Sequence, residues 1–394
     1  MDVRYPGMRL RVLALLVSFL AIAGSGCRKA EPAREAKPQP PPPPPRPTSV
    51  SDAILNEFVP NEAGAVMVIM YHRIEANRPN NEMNRTPDQF RKDLKDLYDR
   101  GFLPVTLREY AENRIDLPAG KSPVVLTFDD AYRSQFAYLD PAGSEIDPDC
   151  AVGIMEAFSR DHPDFKPKGT FFVLQGGSNP PAFGQLGLVG QKFAHLVAIG
   201  SEIGCHTLSH ANFRRLSAQG VAKEIAGGIK AIQAELPDAQ VTSLAIPYGN
   251  IPRDPAARKA CVDGTADGFT YHMSAVALAA WRPTMATIGK VGKVGPFAGQ
   301  FASGDPAAIE RVLPDPRQAT KAGTLEYYLK YFDQNPGLRY VSDGLDTVIA
   351  VPQSMASLVD EAKVKALDRK LQIYTPAPVT PASEPRKSAT GGSG

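Results

Sequence analysis

Short apolar runs separated by helix-length segments constrain this chain more than any other feature. "AVMVIMY", "SPVVLTF" and "GTFFVL" are buried-strand runs. Between the first two lies "TPDQFRKDLKDLYDRG", which reads as a helix. Thr86 caps it, Pro87 takes its first turn, Phe90, Leu94 and Leu97 form its apolar face, and Gly101 stops it. "QKFAHLVAIG" reads as a helix, "EIGCH" as a strand, and "SLAIPYG" as a strand ending in a turn. "SAQGVAKEIAGGIKAIQAEL" is a long helix with Val221, Ile225, Ile229, Ile232 and Leu236 on one stripe. This alternation predicts an α/β protein with a parallel sheet, open or closed into a barrel. In such folds chemistry gathers at the C-terminal ends of strands. The later "TLEYYLKYFDQNPGLRYVSDGLDTVIAVP" reads as helix, strand and strand, and either completes the barrel or forms a small cap.

The N-terminus reads as an export signal. Arg9 and Arg11 precede "VLALLVSFLAIA", a run with the length of a signal core and too short to span a bilayer comfortably. "GSGC" follows, and Cys27 is placed like the lipidated cysteine of a bacterial lipobox, although Gly24 stands where leucine is usual. Residues 1–27 are therefore expected to be a lipoprotein signal with Cys27 as the lipidation site. Residues 28–51 form a proline-rich linker that extends as polyproline II. Residues 52–374 form the folded region, and 375–394 a disordered tail. The expected location is the bacterial cell envelope: anchored to a membrane by lipid, on the periplasmic side of the outer membrane, or exported. Lys and Arg number 44 against 42 Asp and Glu, so no basic surplus points to nucleic acid. Beyond Cys27 the chain has Cys150, Cys205 and Cys261, which permit one disulfide of unspecified pairing. Cys205 is expected to pack behind His206, because neighbours on a strand face opposite ways.

Two strand exits carry candidate chemistry. "VVLTFDDAY" ends in Asp129 and Asp130, and adjacent carboxylates are costly unless a cation, a hydrogen bond or a shared proton relieves them. An aspartate capping a helix is the plainer explanation. "EIGCHTLSH" places His206 and His210 four residues apart, a spacing that sets two imidazoles on one face of a helical turn. Asp130 is the natural third ligand. Two histidines and one carboxylate leave a coordination position for water, as in hydrolytic sites.

Taken in order, "TFDD", "HTLSH" and "PYG", with "MYHRI" before them and "KGTFFV" between the first two, resemble the polysaccharide deacetylases of the NodB-homology type, carbohydrate esterase family 4. The resemblance runs from about Val66 to at least Asn250. It implies the NodB-homology fold, a distorted (β/α) barrel with about seven parallel strands where the regular barrel has eight. It implies Asp129 as general base, and Asp130, His206 and His210 as ligands of a divalent metal, usually Zn2+. Tyr248 would offer its backbone N–H to the oxyanion, with Pro247 and Gly249 shaping that turn against the substrate.

The chain departs from the pattern twice. Ala245 stands where the family often has an arginine that orients the base, so something else must hold Asp129. No histidine follows His272, so the proton donor is either His72 or His272. The "YHRI" resemblance favours His72, and His272 reads as a half-buried strand residue. Trp281 reads as a core aromatic, with stacking on a sugar ring as the alternative, and His162 and His195 as structural or solvent-facing. The long segment between Asp130 and His206, containing "DPDCAVGIMEAF", reads as an insertion near the site mouth. The expected activity is metal-dependent de-N-acetylation of an N-acetylglucosamine-containing polysaccharide outside the cytoplasm, as in exported poly-N-acetylglucosamine deacetylases. The alternatives are an O-acetyl polysaccharide esterase, or a carbohydrate-binding scaffold lipoprotein on a degenerate deacetylase fold.

Overall fold

A computed structural model of the chain describes residues 46–175, 182–290, 308–318 and 320–377. The expected signal segment, Cys27, most of the linker and most of the C-terminal tail lie outside the described residues. Eight strands build the main sheet: β1 (Ala65–Tyr71), β2 (Phe102–Val105), β3 (Ser122–Phe128), β4 (Thr170–Val173), β5 (Glu202–Cys205), β6 (Ser243–Ala245), β7 (Ala275–Trp281) and β8 (Ile309–Arg311). Seven of them run parallel in the order β1-β3-β4-β5-β6-β7-β8. Strand β2 pairs with the first half of β3. The strand Thr284–Met285 lies antiparallel to the start of β1.

The sheet nearly closes on itself. Beyond β8 the chain reaches Val312, which donates to Val68 O at 2.8 Å and accepts from Met70 N at 3.0 Å, bringing the last strand beside the first. The barrel of about seven parallel strands inferred from the motifs is therefore the observed architecture. Strands β1 and β3 are buried at every position, which explains their unbroken apolar sequence: a strand covered on both faces has no solvent side to alternate toward. Aromatic rings fill the layer beneath the strand exits. Phe128 stacks on Tyr71 at 5.5 Å and on Phe171 at 4.6 Å between centroids, and Phe90 meets Tyr71 edge-on.

The helices follow their sequence signals. Thr86 accepts from Gln89 N at the start of Pro87–Asp99, and Phe90, Leu94 and Leu97 are buried. Ala218–Glu235 buries Val221, Ile225, Ile229 and Ile232 along one stripe. The two late strands, Val348–Pro352 and Lys370–Tyr374, pair with each other and not with the barrel. Glu62 N donates to Ala350 O, and Tyr340 N to Ala65 O, so this unit caps the end of the barrel where β1 begins. Val50 is buried with Leu55, Val348 and Ala350 in the same cap, so packed structure begins inside the stretch read as linker.

One buried cation ties two loops together. Lys192 Nζ donates to Phe136 O at 2.9 Å and Phe183 O at 3.1 Å, with no carboxylate partner among the described residues. Burial lowers its pKa from 10.5 to about 7. Between those values the unfolded chain binds more protons than the folded one, so stability rises with pH across that window. The expected result is a urea midpoint that increases from pH 7 to 9, by at most about 1.4 kcal/mol of stability per pH unit. Lys192→Met should flatten that slope.

Candidate active site

Three strand exits converge at the C-terminal end of the barrel. At the first, Asp129 N donates to Tyr71 O at 2.9 Å. Buried Gln135 donates to both His72 O at 2.7 Å and Asp129 O at 2.6 Å, locking the exits of β1 and β3 to each other. Asp130 and Ala131 then turn through left-handed backbone, with φ of 72° and 51°. At the second exit, His206 N donates to Val173 O at 3.0 Å, which fixes the residue to β4. At the third, Pro247, Tyr248 and Gly249 form a tight turn after β6, with φ of 59° and 61° at the last two.

The His206–His210 segment is not the helical turn that its spacing suggested. Thr207 and His210 both adopt left-handed backbone, at φ 69° and 59°. A β-branched residue in that region is a strained exception, and such strain concentrates at functional sites. Hydrogen bonds hold it: Thr207 N donates to Cys205 Sγ, His210 N to Thr207 Oγ1 at 3.0 Å, and Ser209 N and Oγ to Glu224. Cys205 is fully buried behind the site, as the strand alternation required. Cys150, Cys205 and Cys261 are all free thiols.

The result is a donor set of Asp130, His206 and His210 whose ligand atoms all lie within 4.8 Å of one another. Each histidine Nε2 is 3.3 Å from Asp130 Oδ1. The Nδ1 of His206 lies 2.9 Å from Ala245 O. A carbonyl can only accept, so Nδ1 carries the proton and Nε2 keeps its lone pair for the site. Burial alone would raise the Asp130 carboxyl, but hydrogen bonding to both histidines carries it well below the carboxylate range. One anionic oxygen facing two imidazole nitrogens suits a divalent cation of the zinc type.

Asp129 stands beside this set in a fully buried ion pair. Arg311 grips it with both terminal nitrogens, at 2.6 Å to Oδ1 and 2.8 Å to Oδ2. The guanidinium is held in turn by Leu278 O at 2.9 Å and Thr127 Oγ1 at 3.1 Å. Burial pushes the Asp129 carboxyl up, and Arg311 more than offsets it, leaving the group below its ordinary value. This resolves the Ala245 departure: the arginine comes from β8, on the far side of the barrel seam. Sequence reasoning missed it. The only signal was a pair of charged residues, Glu310 and Arg311, inside the short stretch "IERVLP", and the partner of Arg311 becomes visible only once β8 is laid against β1.

The two candidate proton donors separate clearly. His72 follows β1 at the mouth, its Nδ1 buried with no hydrogen-bond partner among the described residues. Burial lowers its pKa, opposed by the nearby Asp129 and Asp130. His272 is not half-buried. It is exposed on the hairpin formed by Asp263–Ala266 and Phe269–His272, with Nδ1 2.7 Å from Asp263. It precedes Ala275, which pairs with Ser243 at the start of β6, so it lies at the end of the barrel opposite the site.

Tyr248 is exposed at the mouth, its ring 4.6 Å from that of His210, and Pro247 is buried beneath it. A Cβ on Gly249 would stand 2.8 Å from Ala279 Cβ, in a conformation that L side chains rarely adopt. Gly249→Val is therefore expected to open the turn and cost roughly 2 kcal/mol or more, read as a lowered thermal midpoint. Trp281 is not a core residue; it is 53% exposed at the end of β7. Tyr132, two residues beyond Asp130, has its hydroxyl pKa raised to about 12 by burial and by Asp130, and Arg73 lies 4.0 Å over its ring.

A parallel barrel that gathers two imidazoles and a carboxylate at its strand exits, with a second carboxylate braced alongside, has the layout of a hydrolytic site. Residues 116–262 match the polysaccharide deacetylase family model. The match includes Asp129, Asp130, His206, His210 and Tyr248, and leaves His72 and Arg311 outside it. The chain is also similar to several solved structures. One is the Streptococcus pyogenes deacetylase PplD in complex with acetate, at 18% identity over 68% of this chain and 97% of that one, TM-score 0.46. Another is a polysaccharide deacetylase from Bacillus cereus, at 16% identity over 68% of each chain, TM-score 0.46. A third is IcaB from Ammonifex degensii, at 19% identity over 64% and 93%, TM-score 0.41. No curated protein matches the chain.

Proposed function

We propose that this protein hydrolyses N-acetyl groups from an N-acetylglucosamine-containing polysaccharide outside the cytoplasm. The observation that carries the reading is the convergence of Asp130, His206 and His210 within 4.8 Å, beside an Asp129 already paired with arginine. Those three residues would hold the divalent cation, which supplies Lewis acidity toward an acetyl carbonyl and toward water. Asp129 is ionised and oriented by Arg311, so it stands ready to take a proton from the attacking water. The turn at Tyr248 sets a backbone N–H at the mouth, where negative charge develops on the acetyl oxygen. Pro247 and Gly249 fix that turn. His72 gives a proton to the departing sugar nitrogen; burial makes its protonated form the stronger acid.

Placement at the cell envelope rests on the N-terminal sequence, with Cys27 as the lipid anchor. The geometry suits it. The described chain enters at Arg46 beside the cap near the start of β1, whereas the site opens at the other end of the strands.

The test is acetate release from N-acetylglucosamine oligomers by the purified chain, with and without chelator. Release that stops on chelation and returns with Zn2+ is expected. His72→Gln should lower turnover by about two orders of magnitude, and His272→Gln should leave it unchanged. Bound zinc with no acetate from any acetylated glycan would favour a carbohydrate-binding role instead.

A further inference from the structure

The loops that frame the site carry unused positive charge. Arg133 lies three residues after Asp130, Arg214 and Arg215 four and five after His210, and Arg253 five after Tyr248. Chain geometry keeps each of them within roughly 18 Å of the site residue it follows. All four are exposed, and among the described residues no carboxylate lies within ion-pair distance of any of them. Most other surface arginines of the mouth are matched: Arg78 with Glu75, Arg282 with Glu310, Arg317 with Asp315 and Glu82.

The carboxylates on or beside the same loops are largely engaged. Asp254 caps the helix that follows it, Glu224 holds Ser209, Asp140 binds the backbone of its own turn, and Asp149 pairs with Arg91. Glu145 is the exposed exception. The whole chain carries a formal charge of only +2, so this concentration is local. The cations are also all arginine: the stretches 131–138, 211–216 and 250–254 contain no lysine. A guanidinium presents a planar fork that matches carboxylate, sulfate and phosphate in bidentate fashion, which an ammonium does not.

We propose that the mouth is built for an acidic polysaccharide, one with carboxylate, sulfate or phosphate groups near its acetylated sugars. Arg133, Arg214, Arg215 and Arg253 read that charge. The inference deepens the deacetylase reading and rests on it for the nature of the polymer. An anionic chain is drawn to this rim, whereas deacetylated units, which bear ammonium groups, are turned away.

The test compares a neutral N-acetylglucosamine oligomer with its carboxymethylated counterpart, using the full chain and the R214Q/R215Q/R253Q variant. Binding is measured by calorimetry at low and high salt, and acetate release in parallel. The native protein should bind the acidic oligomer on the order of tenfold more tightly at low salt, and high salt should erase the difference. The variant should lose the preference while keeping its zinc content, its thermal midpoint and its activity on the neutral oligomer. Equal binding of the two oligomers, or a preference that survives in the variant, overturns the proposal. So does tighter binding to vesicles of anionic lipid than to the acidic glycan. Acetate release without charge preference sinks this inference alone; charge-dependent binding without acetate release sinks the deacetylase reading and leaves the acidic ligand standing.

Discussion

Asp129→Asn is expected to lose turnover by about three orders of magnitude while keeping the bound cation. The asparagine is nearly isosteric, and the three ligand side chains do not depend on the Asp129 charge for their positions. His206 is oriented by Ala245 O, His210 by Thr207, and Asp130 by its own strained turn. What asparagine removes is the capacity to accept a proton from water. His206→Ala should behave differently and lose both cation and turnover, because it deletes a ligand and the imidazole whose tautomer the strand fixes. Zinc analysis and acetate release on the same samples separate the two. Full activity in Asp129→Asn would remove the base assignment.

Arg311→Met is expected to be strongly destabilising. Arg311 and Asp129 are both almost wholly buried, and the pair is bidentate. Deleting one partner of such a pair leaves an uncompensated buried charge, at a cost of about 3 kcal/mol or more. The surviving Asp129 escapes by taking up a proton, so its pKa rises. The acid limb of the pH–activity profile should therefore move to higher pH, since the base must be ionised to act. Adding Asp129→Asn to Arg311→Met should recover part of the lost stability, because no buried charge then remains. A double variant no more stable than Arg311→Met alone would show that the arginine acts through packing instead.

The parts of this molecule that were readable from sequence are those set by local patterns. Unbroken apolar runs gave β1 and β3 because strands covered on both faces have no polar side to show. Thr86, Pro87 and Gly101 bounded a helix through backbone chemistry that acts over four residues. Asp129, Asp130, His206 and His210 stood out because each follows an apolar run at a strand exit. The failures are non-local. Arg311 reaches Asp129 across 182 residues of chain, and no spacing rule connects them. His272 and Trp281 were misjudged because exposure depends on what packs over each strand, which the strand's own residues do not reveal: among the described residues the His272 strand pairs only with Asp263–Ala266 and leaves His272 open. The geometry at His210 was misread for a different reason: a four-residue spacing fits a helical turn, but Thr207 and His210 reach the same convergence through left-handed backbone held by Glu224 and the Cys205 thiol.

Anomalous diffraction at the zinc edge, from crystals grown with zinc, interrogates the foundation of this reading. A single peak about 2.0–2.2 Å from Nε2 of His206, Nε2 of His210 and a carboxylate oxygen of Asp130 is the expected outcome, with Asp129 still held by Arg311 and outside the coordination sphere. A peak elsewhere, or one coordinated by Asp129 in place of Asp130, would overturn it.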